Sequence, residues 1–134
     1  MEVKIDTKER FFVVRIATNC FTASMAEELD QKLTPYLASD VKSSDTPGNI
    51  VLNMTAVNTI DAAGARLLQQ LQQRFYDQNR SFVICELQTS VEDTLDKEEL
   101  LELMNITPTE SEAWDIVQME EIERELLDNE FPTE

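Results

Sequence analysis

Nothing in this sequence supplies an imidazole, because it contains no histidine. That removes the commonest general base and the commonest metal ligand, and with them every Ser-His or Cys-His nucleophile pair. Cys20 and Cys85 are too few for a disulfide framework and too far apart for a zinc site. Each lies beside an apolar run and is expected to be a buried free thiol. Gly48 and Gly64 are the only glycines, so neither a phosphate-cradling loop nor a dinucleotide fingerprint can be built. The 27 carboxylates could in principle furnish an acid pair or a magnesium site. Most fall on apparent helix surfaces, where solvation accounts for them. No metal, no cofactor and no catalysis are expected.

The residues whose arrangement does stand out lie between Asn49 and Leu68, NIVLNMTAVNTIDAAGARLL. This reads as a buried strand, a polar loop and the start of a helix. Asp61 is placed to cap that helix, its carboxylate accepting from free N–H groups of the first turn. Ala62 and Ala63 open the helix, and Gly64 permits close approach by another backbone. The positive end of the helix faces the loop.

The elements that must hold this segment can be read along the chain. Residues 2–6 and 11–16 are rich in β-branched and aromatic residues and predict a strand hairpin. Ser24 with Glu27 predicts a capping box, followed by Met25, Leu29, Leu33 and Tyr36 at helical spacing. Residues 39–48 are a loop by composition. Asn49–Met54 and Ser81–Leu87 read as strands buried on both faces. Between them Ala63, Leu67, Leu71 and Phe75 mark a helix that Asn79 ends. Thr89 with Glu92 predicts the cap of a third helix containing Val91, Leu95 and Leu101. After Pro108, Thr109 with Glu112 caps a last helix with Ile116, Met119, Ile122 and Leu126 on one face, expected to pack on the core, with a partner-docking helix as the lesser alternative. The order predicts an α/β fold with a mixed, largely parallel sheet of four to five strands and four helices. Residues 1–128 are expected to form one domain and 129–134 an acidic tail.

Charge is distributed unevenly. The net charge is −16, of which residues 1–85 carry −1 and residues 86–134 carry −15. So acidic a half repels phosphate backbones and anionic lipid surfaces, which argues against direct nucleic-acid binding; it is read as a solvated acidic face, with attraction of a basic partner as the lesser alternative. No apolar run approaches the length of a membrane span, and the first residues carry no secretory h-region, so a cytoplasmic protein is expected.

The segment Asn53-Met54-Thr55, then Ile60-Asp61-Ala62-Ala63-Gly64 and Arg66-Leu67-Leu68, resembles the signature of the STAS family, which includes the bacterial anti-sigma factor antagonists. Val13-Val14-Arg15-Ile16, Ser81–Leu87, and Met104-Asn105-Ile106 followed by Glu112-Ala113-Trp114 resemble that family's other core elements, in order, over roughly residues 3–125. The resemblance implies the STAS fold and a non-catalytic interaction module that acts on transcription by partner switching. In phosphorylatable members the serine after the aspartate accepts phosphate, whose added charge breaks the complex. Here Ala62 holds that position and Ala63 the next. Asn53 replaces the usual aspartate, and Thr18 stands where glycine is common. Thr55 and Thr59 are the nearby hydroxyls.

By this resemblance the partner would be an anti-sigma factor or related regulatory kinase. It would be bound through Asn58, Thr59, Asp61, Ala62, Ala63 and Arg66, with Asp61 orienting the loop, the alanines giving a flat contact and Arg66 a rim charge. The alternative is a STAS-type accessory subunit of a membrane lipid or anion transporter. A small-ligand-binding domain is the lesser alternative, and a homodimer is left open.

Overall fold

Side chains alternate across a strand, so a sheet covered on both sides must be apolar at every position. The central strands meet that demand. The computed structural model describes residues 3–8, 11–37 and 48–130. In it β1 (Val3–Thr7) and β2 (Phe12–Ile16) form an antiparallel hairpin, with Val3 opposite Ile16 and Thr7 opposite Phe12. The chain continues through β3 (Cys20–Phe21), α1 (Ala23–Leu37), β4 (Ile50–Asn53), β5 (Thr59–Ile60), α2 (Ala62–Asp77), β6 (Phe82–Cys85) and α3 (Thr89–Lys97). A 3-10 turn at Leu101–Leu103, β7 (Ile106–Thr107) and α4 (Glu110–Glu130) complete it. The main sheet runs β1-β2-β4-β6-β7, parallel except for β1. The α/β class, the mixed five-stranded sheet and the four helices agree with expectation.

The two faces of the sheet have separate cores. Phe12, Val14, Ile16, Ile50, Leu52, Phe82 and Ile84 pack against Leu29, Leu33, Leu68, Leu71, Phe75, Val91 and Leu95 from α1, α2 and α3. The alternating residues Phe11, Val13, Val51, Val83 and Cys85 pack against Ala113 and Val117 of α4. Truncating a fully buried leucine such as Leu29 or Leu52 to alanine is worth about 2–5 kcal/mol.

Local chemistry departs from the sequence reading in several places. The cap of α1 is Thr22, whose Oγ1 accepts from Met25 N at 3.4 Å, so Ser24 lies inside the helix. Likewise α3 is capped by Gln88 with no side-chain bond, and Thr89 is its first residue. Leu101 falls in the 3-10 turn beyond α3. Thr109 does cap α4, accepting from Glu112 N at 3.3 Å. Glu86, held at φ 60°, aims its carboxylate at the same helix end and accepts from Glu110 N at 2.9 Å. Asn79 ends α2 at φ 58°, a conformation asparagine tolerates better than most residues.

Two helices present different faces from those expected. In α2 the buried stripe is Gly64, Ala65, Leu68, Leu71, Gln72 and Phe75, so Ala63 is exposed and Leu67 only half-buried. In α4 the correction is larger: Met119, Ile122 and Leu126 are exposed rather than packed on the core. The reason is a polar network on the inward face. Glu120 accepts from Tyr76 Oη at 3.0 Å and from Ser81 Oγ at 2.5 Å, and Arg124 donates to Ser81 Oγ at 2.8 Å. Glu121 accepts from Asn49 Nδ2 at 3.0 Å and from Arg124 Nη1 at 3.1 Å.

The cysteines also divide. Cys85 is buried, and burial, with Glu110 and Glu86 adding to it, pushes its thiol from 9.0 up to about 12. Cys20 is exposed, against expectation, because it lies on the outward side of β3. Asn129 and Glu130, expected in the tail, are the last residues of α4, and 131–134 lie outside the described residues. So does the expected loop 39–48, apart from Gly48.

Candidate functional site

The chain leaves β4 at Asn53, whose side chain organises the turn immediately after it. Its Oδ1 accepts from Thr55 N at 2.9 Å and from Thr55 Oγ1 at 2.5 Å, while its Nδ2 donates to Glu110 at 3.0 Å. Met54 and Val57 are fully buried and anchor the turn from below, and exposed Thr55 and Ala56 sit above it. The next residues form the second, two-stranded sheet, in which β3 and β5 pair in parallel, Cys20 with Thr59 and Phe21 with Ile60. Asn19 carbonyl accepts from Asn58 N at 2.6 Å and from Thr59 N at 3.1 Å, and Phe21 carbonyl from Asp61 N at 3.1 Å. Sequence patterning does not reveal this pair of strands. At two residues each, they are too short to leave a periodic signal.

Helix α2 then starts as its sequence dictates. Asp61 is the N-cap and its Oδ1 accepts from Gly64 N at 2.6 Å. A Cβ on Gly64 would lie 2.9 Å from that oxygen, 3.0 Å from Phe21 carbonyl oxygen and 3.0 Å from the Thr22 carbonyl carbon. Gly64 is therefore the residue that lets β3 pass against the helix start. Beneath it Ile60 and Ala65 are buried.

On the other side of the loop, α3 ties it down. Gln88 Nε2 donates to Thr55 carbonyl at 2.8 Å, and Ser90 Oγ donates to Asn58 carbonyl. Arg66 Nη2 bonds Glu98 Oε1 at 2.7 Å, joining the second turn of α2 to the end of α3. Of the residues singled out from sequence, Asn58, Thr59, Asp61, Ala63 and Arg66 are exposed and Ala62 is half-buried, all six lying along the segment that runs through β5 into α2. Its backbone is held from β3 on one side and α3 on the other. Ala62 and Ala63 give it little relief. Arg66 is an ion-paired charge rather than a free one. The supporting positions Asn19, Gln88 and Ser90 carried no sequence signal, being polar residues in or next to loops.

A cleft of about 850 Å³ adjoins the loop at the carboxyl ends of β2 and β4, lined by Lys4, Arg15, Lys32, Asn53, Thr55 and apolar neighbours. Of its lining charges, Arg15 is already paired, bonding both Asp6 and Glu110. Among the described residues no group of three or more Cys, Asp or Glu side chains converges as a metal site, and no helix is long and apolar enough to cross a membrane.

The fold and the signature loop together have a family counterpart. The profile described as STAS domain matches residues 2–113, and the chain belongs to that family. Among solved structures, an anti-sigma-factor antagonist (STAS) domain protein from Planctomyces limnophilus superposes with a TM-score of 0.69 at 12% identity, over 87% of this chain and 97% of that one. RsbS of Moorella thermoacetica, with a serine changed to glutamate, gives 0.68 at 18% identity over 88% and 96%. The murine anion transporter Solute Carrier 26 family member A9 gives 0.66 at 15% identity, over 84% of this chain but 18% of the transporter. No curated protein sequence matches the chain.

Proposed function

We propose that the chain is a non-catalytic, cytoplasmic interaction module that binds an anti-sigma factor or a related regulatory kinase through the surface from Asn58 to Arg66. The observation that carries this reading is the loop braced between β3 and α3. It displays two alanines at a helix start that Asp61 caps. A preorganised, low-relief surface loses little conformational entropy when a partner covers it. Its similarity to anti-sigma factor antagonist structures supports the same role.

Ala62 has no hydroxyl and accepts no phosphate. The surface is then permanently in its binding-competent state, and control passes to the partner or to the abundance of the chain. Asp61 sets the loop, the alanines make the contact, and the Arg66–Glu98 pair bounds it. One observation favours a second reading: the likeness to the domain within the murine anion transporter supports an accessory role on a membrane lipid or anion carrier.

Affinity capture from the native lysate separates the two. Recovery of a kinase-like regulator supports the first reading, and recovery of a transporter complex supports the second. Recovery of neither by the native protein would overturn both.

A further inference from the structure

Helix α4 is amphipathic in the wrong sense for its position. Its first half follows the usual rule, with Ala113 and Val117 buried against the sheet. In its second half the inward positions are Glu120, Glu121 and Arg124, all hydrogen-bonded, while Met119, Ile122 and Leu126 point outward. Those three side chains leave 59%, 47% and 56% of their surface in solvent. They occur at i, i+3 and i+7, so they form one ridge.

A rotation of the helix would not bury that ridge at acceptable cost. It would pull Glu120 from Tyr76 and Ser81, and Glu121 from Asn49, leaving charged and polar groups unpaired against the sheet. The polar network therefore fixes the apolar ridge on the outside. Contiguous exposed apolar surface of this kind marks a contact site.

The charge on α4 says what kind of partner covers it. The helix holds nine acidic residues and one basic one, Arg124, and Arg124 is spent on Glu121 and Ser81. Asp115 and Glu123, both exposed, flank the ridge. A second copy docking α4 on α4 would bring two strongly acidic helices together without counter-charge. We propose that the α4 ridge is a docking site for a basic amphipathic helix, one with an apolar stripe bordered by lysine or arginine. The ridge lies on the sheet face opposite α2, so this contact is separate from the surface around Ala62 and does not depend on its role.

A fluorescein-labelled leucine–lysine peptide patterned as an amphipathic helix, titrated against the full chain by anisotropy, tests the proposal. The controls are a scrambled peptide of the same composition and the Met119→Ser/Ile122→Ser double variant. Both residues are exposed, so the variant should keep the circular dichroism and melting temperature of the parent. Binding by the patterned peptide is expected to weaken at least about tenfold in the variant and with the scrambled sequence. Equal binding of both peptides, or by both proteins, would reduce the effect to simple charge attraction and overturn the proposal. Sedimentation showing a dimer of the parent that the double variant lacks would overturn it in favour of a second copy.

Discussion

Asp61 and Gly64 are joined by a 2.6 Å hydrogen bond, and a side chain at Gly64 would sit 2.9 Å from the same carboxylate oxygen. The cap and the glycine therefore define one another. Within an ordinary helix, glycine to alanine stabilises by about 1 kcal/mol. Here the added methyl also meets the backbone of Phe21 and Thr22, which cannot swing aside. Gly64→Ala is expected to destabilise by at least about 1 kcal/mol, since overpacking outweighs propensity. Urea denaturation reads the sign directly, and a more stable variant would show that β3 yields easily.

Removing the cap tests the same junction from the other side. Asp61→Ala should cost about 0.5–2 kcal/mol, while Asp61→Asn, which still offers an oxygen to Gly64 N–H, should cost less. Equal losses from both substitutions in a thermal melt would mean that charge, rather than the hydrogen bond, is what Asp61 contributes.

The Arg66–Glu98 pair is a different kind of contact. With the Arg66 side chain 60% exposed, the bond is largely solvent-screened. Arg66→Ala should change stability by less than about 1 kcal/mol, and about 0.5 M salt should erase most of the difference. A larger loss that persists in salt would show that the pair holds α3 on α2.

The two thiols should behave as opposites. Cys20 is exposed and should react with a disulfide reagent in the native state, whereas Cys85 should react only after unfolding. Cys85 also makes the fold sensitive to alkali. Burial raises its thiol from 9.0 to about 12, and burial likewise raises the Tyr76 hydroxyl from 10.0 to about 12. Between those values the unfolded chain releases protons that the folded chain retains, so stability falls as pH rises from about 9 to about 12. Cys85→Ala removes one of these groups, and its stability should decline less between about pH 8 and about pH 11 than that of the parent. Identical slopes for the two proteins would contradict the assignment.

Much of this architecture was legible because it rests on periodic apolar residues. The strands around Val14, Leu52 and Ile84 and the helix through Leu71 and Phe75 lie where their patterns place them. The phase of a helix was harder to read. α2 turns slightly because Gln72, a polar residue, is buried to bond Leu103 carbonyl at 3.3 Å and Asn105 N at 2.9 Å. The second half of α4 turns further, because Glu120, Glu121 and Arg124 find partners inside and displace Met119, Ile122 and Leu126, while Ile116 stays half-buried against the core. Caps slipped by one or two residues where several Ser and Thr residues compete, as Thr22 does with Ser24. The candidate surface was visible through Asp61 and Gly64, whose types are chemically constrained. Its braces, Asn19, Gln88 and Ser90, depend on residues distant in sequence and leave no local pattern.

Whether the surface at Ala62 is the binding face is decided by one titration. The partner recovered from the native lysate would be purified and titrated by calorimetry against the parent chain and against Ala62→Glu. Melting temperatures of the two would be matched beforehand to show that both are folded. The side chain of Ala62 is only half-buried, so the glutamate can project without unfolding the helix start, and it adds bulk and negative charge beside Asp61. Binding at least about 100-fold weaker is predicted for the variant, as expected when an unpaired charge is buried in an interface. Equal affinity for the two folded proteins would contradict the proposed binding face and place the partner elsewhere on the molecule.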